Sequence, residues 1–256
     1  MKEKNKIELL ISPSNLKEAR ALFSGGADII DVKNPAEGSL GANFPWVIRD
    51  IIRANPRARF SVAIGDIFYK PGSFSLAAYA AASLGADYVK AGFFGFSDKK
   101  LAGETARRLR KAVKMVRKKT SFVLAGYADW KRFGGLPWRD ILHAASFAGA
   151  DVVMLDTYVK DGKSLFDAMP LSEIRAFLQK AGGLGLKTAL AGSLRPAHMP
   201  AIKSLSPDII GIRGGVCRGF DRNQPISAGM VKKFKRELNG DLSWEFPGNR
   251  SDFPDP

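Results

Sequence analysis

Five residues carry the chemistry this sequence offers: Asp31, Lys33, Lys90, Asp156 and Lys160. Asp31 and Lys33 lie in "GGADIIDVKNPAEGSLG", Gly25 to Gly41, a run that otherwise reads as a buried strand. A strand turns successive side chains to opposite faces, so Asp31 and Lys33 share one face while Ile30 and Val32 take the other. Charges in such a place cost stability unless something uses them. Crowded ammonium groups disfavour one another's charge, so converging lysines leave at least one partly a free amine near neutral pH. A free amine can attack a carbonyl to form a Schiff base. A second amine or a carboxylate then moves protons at the adjacent carbon.

That chemistry requires distant segments to meet, and a repeat in the chain supplies the means. "GGADIIDVK" from Gly25, "LGADYVKAG" from Leu84, "AGADVVMLD" from Ala148 and "SPDIIGIRGG" from Ser206 are alike. They recur about every 60 residues, the length of two strand–helix units. Between them fall "ELLISP", "RFSVAIGD", "SFVLAGYAD" and "KTALAGSL", which makes eight short runs, most rich in aliphatic residues as strands buried on both faces are. Eight helical patterns separate the runs, with Pro45 in a first turn and a Gly25–Gly26 stop among their punctuation. The pattern predicts one α/β domain over residues 1–240, a (β/α)8 TIM barrel, with a short C-terminal extension over 241–256. The extension reads as a surface segment or partly disordered.

Aligned on their shared aspartate, the repeats bring the charges together. Lys33, Asp156 and Arg213 fall five positions after Asp28, Asp151 and Asp208, and Asp31 and Lys90 fall three after Asp28 and Asp87. Three and five have one parity, so these side chains face the same way, while Ile30, Val32, Val89, Val153 and Leu155 face the helices. All four repeats are even-numbered strands, and alternate strands contribute the inward residues of one barrel layer. Lys33, Lys90, Asp156 and Arg213 therefore meet at the C-terminal mouth, and Lys160, in the following "LDTYVKDG" loop, can fold over it. The bland alternative is a set of structural ion pairs closing the barrel end, but the lysines outnumber the aspartates.

The glycine-rich turns "LAGSL" and "IRGGVCRG" follow the seventh and eighth strands, where barrels bind phosphate through backbone N–H groups. Gly192, Ser193, Gly214 and Gly215 are the candidates, with Arg213 or Arg218 as charge partners. No other machinery competes. His143 and His198 fall in outer-helix or loop segments, Cys217 reads as an incidental small residue, and no metal-ligand cluster, cofactor motif or Ser–His–Asp set can be assembled.

The net charge of +15 raises nucleic acid, an acidic membrane surface or an anionic small substrate as partners. Much of the excess lies in Ala106–Thr120 and Met230–Gly240, whose helical apolar spacing makes the basic residues solvated outer faces. Neither segment interleaves aromatics with its lysines, so nucleic acid is disfavoured. No leader-like start and no membrane-spanning run is present, which predicts a cytoplasmic protein. Self-association through outer barrel helices is left open.

The motifs "ADIIDVKNPAEGSLGAN", "ADYVKAGFFG", "ADVVMLDTYVKDGKSLFD" and "LAGSL" resemble those of the (5-formylfuran-3-yl)methyl phosphate synthases of methanofuran biosynthesis, over nearly the whole chain. That resemblance implies condensation of two molecules of glyceraldehyde 3-phosphate, with loss of phosphate and water and without a cofactor. It implies Lys33 as the Schiff-base lysine and Lys90 as the proton acceptor. Asp156 and Lys160 match the family's "LDTxxKDG" pair, and Asp31 a further active-site acid. Rival readings are another class I aldolase-like or isomerase barrel acting on sugar phosphates, or a basic nucleic-acid-binding protein without catalysis.

Overall fold

The computed structural model describes residues 6–240; residues 1–5 and the anticipated 241–256 extension lie outside the described residues. Eight parallel strands close into a barrel in sequence order. They are β1 (Glu8–Ile11), β2 (Ile29–Val32), β3 (Arg59–Phe68), β4 (Tyr88–Gly95), β5 (Ser121–Tyr127), β6 (Val152–Asp156), β7 (Lys187–Leu190) and β8 (Ile209–Ile212). The helices between them are α1 (Leu16–Gly25), α2 (Pro45–Ala54), α3 (Pro71–Ser83), α4 (Lys99–Val116), α5 (Trp138–Ala148), α6 (Leu165–Ala168), α7 (Leu171–Gly183), α8 (Met199–Leu205) and α9 (Ala228–Asn239). The anticipated (β/α)8 architecture is the observed one.

Local chemistry sets the helix ends. Asn15 caps α1 by accepting from the Glu18 N–H at 2.9 Å, and Asp98 caps α4 by accepting from Lys100 and Leu101. Prolines at the first turn start α2 and α3, where a missing N–H costs nothing. The four-residue α6 is an addition to the eight helices read from the sequence. Its apolar face is too short to show as a period, but Ser164 and Asp167 form a capping box around it.

The strand alternation divides the core in two. Ile30, Val32, Val89, Val153 and Leu155 pack outward into the layer between sheet and helices. Leu10, Ile29, Ala63, Tyr88, Val123, Val152, Met154, Ala189 and Ile209 fill the barrel interior. The basic residues Arg107, Arg108 and Lys111 lie on the exposed face of α4.

The aspartates that align the four repeats do not enter the mouth. They sit at the opposite, N-terminal end, and each carboxylate accepts a backbone N–H from the start of the preceding odd strand. Asp28 accepts from Leu9 at 2.7 Å, Asp87 from Phe60 at 3.0 Å, Asp151 from Phe122 at 2.8 Å and Asp208 from Thr188 at 2.7 Å. The repeat is therefore a registration device, a carboxylate that satisfies an orphan N–H where each odd strand enters the barrel.

Candidate active site

At the C-terminal mouth Asp31, Lys33, Lys90, Asp156 and Lys160 line one cavity of about 310 Å³, together with Gly192, Ser193, Arg213, Gly214 and Gly215. Parity places the first four as the sequence implies. β2, β4 and β6 deliver Asp31, Lys90 and Asp156 inward, and Lys33 follows β2 by one residue.

The pairing among these groups is unequal. Lys90 Nζ donates to both oxygens of Asp31 at 2.8 Å, and Ser12 Oγ donates to Asp31 Oδ2 at 2.9 Å. Lys160 Nζ donates to Asp156 Oδ1 at 2.8 Å, and the Thr157 N–H donates to the same oxygen at 2.7 Å. Lys33 makes no ion pair among the described residues; its Nζ donates to the Ser39 carbonyl at 3.1 Å. Three lysines meet two carboxylates, and Lys33 is the one left over.

That position shapes its protonation. Burial pulls the Lys33 pKa down to about 8; the Asp156 carboxylate pulls the other way, and the nearby Lys90 adds to the lowering. The sequence argument from crowded amines reaches the right direction but misorders the causes, since desolvation outweighs repulsion. Burial also pushes Asp31 and Asp156 up, yet lysines overcome it: Lys90 and Lys33 hold Asp31 below the usual carboxylate value, and Lys160 and Lys33 hold Asp156 below it. The site thus keeps two carboxylates ionised beside an amine that is partly free at neutral pH.

The loops after β7 and β8 form the other wall. The backbone of Gly192, Ser193, Gly214 and Gly215 lines this wall. Ser193 adopts left-handed backbone geometry at φ 48°, a strained conformation that recurs at ligand sites. Arg213 is differently employed. Its guanidinium donates to the Ser12 carbonyl at 2.7 Å, to Glu18 at 2.9 and 3.3 Å and to the Arg222 carbonyl at 3.1 Å. Its charge is met by a carboxylate on α1, which leaves it as an anchor of the β8 loop more than a free phosphate partner. Arg218 is exposed and does not line the cavity, whereas Arg195 and Arg222, which the sequence reading passed over, do.

Other residues missed in the sequence hold the site in place. Asp129 accepts the N–H groups of Tyr158 and Val159 at 2.8 and 2.9 Å, fixing the loop that carries Lys160. Asp66, in β3, accepts from Tyr127 Oη and from the Leu40 N–H. The rings of Phe94, Phe133 and Tyr158 stack nearby, with centroids 4.1 to 5.2 Å apart. A charged residue at the C-terminal end of a barrel strand is the signal that would have found Asp66 and Asp129. His143 is exposed, and burial lowers the pKa of His198, which accepts from the Arg195 N–H; neither lines the cavity. Cys217 is buried. Among the described residues no group of His, Cys, Asp and Glu is placed to hold a metal ion, and no helix is long and apolar enough to cross a membrane.

A family model described as 4-HFC-P synthase matches residues 9–235. A (5-formylfuran-3-yl)methyl phosphate synthase from Methanococcus maripaludis strain C5 is 49% identical over 227 residues, 88% of this chain and 96% of the relative. Proteins of the same name from Methanocaldococcus jannaschii and Archaeoglobus fulgidus are each 46% identical, over 89% and 91% of this chain and 97% and 100% of theirs. Among solved structures, KGPDC from Streptococcus mutans superposes with a TM-score of 0.65 at 16% identity, covering 93% of this chain and 100% of that one. The 3-hexulose-6-phosphate synthase from Salmonella typhimurium gives a TM-score of 0.66 at 18% identity, covering 92% and 100%. These two likenesses concern the barrel alone.

Proposed function

The chain belongs to the 4-HFC-P synthase family, and on that premise we propose that it makes (5-formylfuran-3-yl)methyl phosphate from two molecules of glyceraldehyde 3-phosphate, through a Schiff base on Lys33. The observation that carries the reading is the unequal pairing at the mouth: among the described residues Lys33 alone of the three lysines lacks a carboxylate partner, and burial lowers its pKa to about 8. Its amine is the group able to attack an aldehyde.

The remaining groups divide the proton transfers. Lys90 Nζ, bonded to both Asp31 oxygens, accepts a substrate proton only after passing one of its own to Asp31, so the two act as one relay. The enamine formed by that proton loss attacks the second aldehyde. Asp156 lies close enough to Lys33 to stabilise the positive iminium, and Lys160 donates a proton to the departing hydroxyl or phosphate during ring closure. The glycine-rich backbone of the β7 and β8 loops, which lines the cavity, suits a phosphate oxygen. The enzyme works without a cofactor and in the cytoplasm.

Borohydride reduction in the presence of glyceraldehyde 3-phosphate is expected to add the mass of the reduced triose phosphate at Lys33, with no adduct in Lys33→Ala. An adduct that persists in Lys33→Ala removes the Schiff base from the account. Release of phosphate together with rising near-ultraviolet absorbance identifies the furan aldehyde; a simple aldolase would give neither.

A further inference from the structure

Asp66 and Tyr127 touch none of the cavity described above, yet the chain makes unusual room for them. Tyr127 is buried inside the barrel, and its Oη donates to Oδ1 of the half-buried Asp66. Both oxygens of the Asp66 carboxylate accept the Leu40 N–H at 3.2 Å, the N–H of the same peptide unit as the Ser39 carbonyl. Ser39 is the residue whose carbonyl holds Lys33 Nζ at 3.1 Å, and its own Oγ donates to the Thr157 carbonyl at 3.0 Å. Two glycines clear the way. A Cβ on Gly38, at φ 133°, would stand 2.2 Å from Asp66 Oδ2, and one on Gly92 would stand 2.0 Å from Tyr127 Oη. This accounts for part of the "NPAEGSLG" motif that the catalytic groups leave unexplained.

We propose that Asp66, braced by Tyr127, is a positioning residue that holds the Ser39 carbonyl where it orients the Lys33 amine. One N–H of Lys33 is committed to that carbonyl, which restricts the nitrogen lone pair to the two remaining tetrahedral directions. A pair that merely plugged the barrel would need only each other. This carboxylate instead spends both oxygens on the backbone of the loop that steers Lys33. The neighbouring case is parallel, because Asp129 holds the loop of Lys160 through the Tyr158 and Val159 N–H groups. Misplacing a reacting group by about 1 Å can cost on the order of a hundredfold in rate.

The inference rests on Lys33 as the reactive amine, and the test separates the two. The rate of borohydride-trapped adduct at Lys33 and the kcat and KM of furan formation are measured for the wild type, Asp66→Asn, Tyr127→Phe and Gly38→Ala, with thermal melts to score folding. Asp66→Asn is expected to slow adduct formation and kcat by about tenfold or more, with KM within about twofold. Tyr127→Phe, which deletes one oxygen, gives a smaller loss of the same kind. Gly38→Ala, which drives a methyl against the carboxylate, reproduces the Asp66→Asn pattern. If Asp66→Asn does not fold, the Tyr127→Phe result decides. A wild-type adduct rate in a folded Asp66→Asn or Tyr127→Phe protein, or a loss confined to KM, overturns this inference alone. Absence of any adduct on the wild type overturns the Lys33 assignment and this inference with it.

Discussion

The two ends of the barrel use the same residue for opposite purposes. At the floor, Asp28, Asp87, Asp151 and Asp208 spend their oxygens on backbone N–H groups and take partners such as Lys114 and Lys235 from the outer helices. At the mouth, Asp31 and Asp156 face lysine amines inside a buried cavity. The floor carboxylates are half-exposed and fix register; those at the mouth are buried with lysines whose charge they must balance. A charge stabilises where backbone or solvent answers it, and becomes chemically useful where burial leaves an amine unanswered.

Breaking the mouth should abolish or cripple chemistry in a protein that still folds. Lys33→Ala is expected to lose the trapped adduct and furan formation entirely, scored by mass spectrometry and absorbance. Lys90→Met should lower kcat by about 10²- to 10⁴-fold, the usual contribution of a positioned proton-transfer group. It should also leave Asp31 a buried, half-answered carboxylate, so its melting temperature falls as well.

The pH dependence sharpens the same contrast. Burial holds Lys33 near 8 in the folded protein against 10.5 ordinarily. Each unit of pH below 8 therefore reduces the free amine about tenfold, and the adduct rate should climb from pH 6 and flatten above about 8. For stability, the unfolded chain binds the Lys33 proton more tightly, so this residue's contribution increases between pH 8 and 10.5 and its full penalty is present below pH 8. Lys33→Met should remove that slope from denaturation curves measured across the window.

Breaking the floor should do the reverse. Asp151→Ala strands the Phe122 N–H and removes the carboxylate partner of Lys114, and is expected to cost about 1–3 kcal/mol in urea denaturation with kcat unchanged in the folded fraction. The smallest effect belongs to Lys235→Ala, which removes the Asp28 ion pair near the surface and should cost less than about 1 kcal/mol. Comparable kcat losses from floor and mouth variants would erase the division.

Periodicity and parity carried much of this structure in the sequence. Alternation is a property of any strand, so the inward face of Asp31, Lys90 and Asp156 followed from residue numbers, as did the eight-stranded barrel from the spacing of a fourfold repeat. The shared aspartate that made the repeat visible served as an alignment mark, and nothing local showed that its carboxylate answers a strand N–H some 20 to 30 residues away. The short helix α6 escaped because one turn cannot display a period.

The sequence by itself determined which residues face the mouth, because side-chain direction is set by the chain's own geometry. Only the tertiary structure decided who pairs with whom: Lys90 with Asp31, Lys160 with Asp156, Arg213 with Glu18, Tyr127 with Asp66, and Lys33 with no carboxylate among the described residues. Those choices depend on inter-strand register and loop course, which bring together groups up to 195 positions apart, and on burial, which no local pattern encodes.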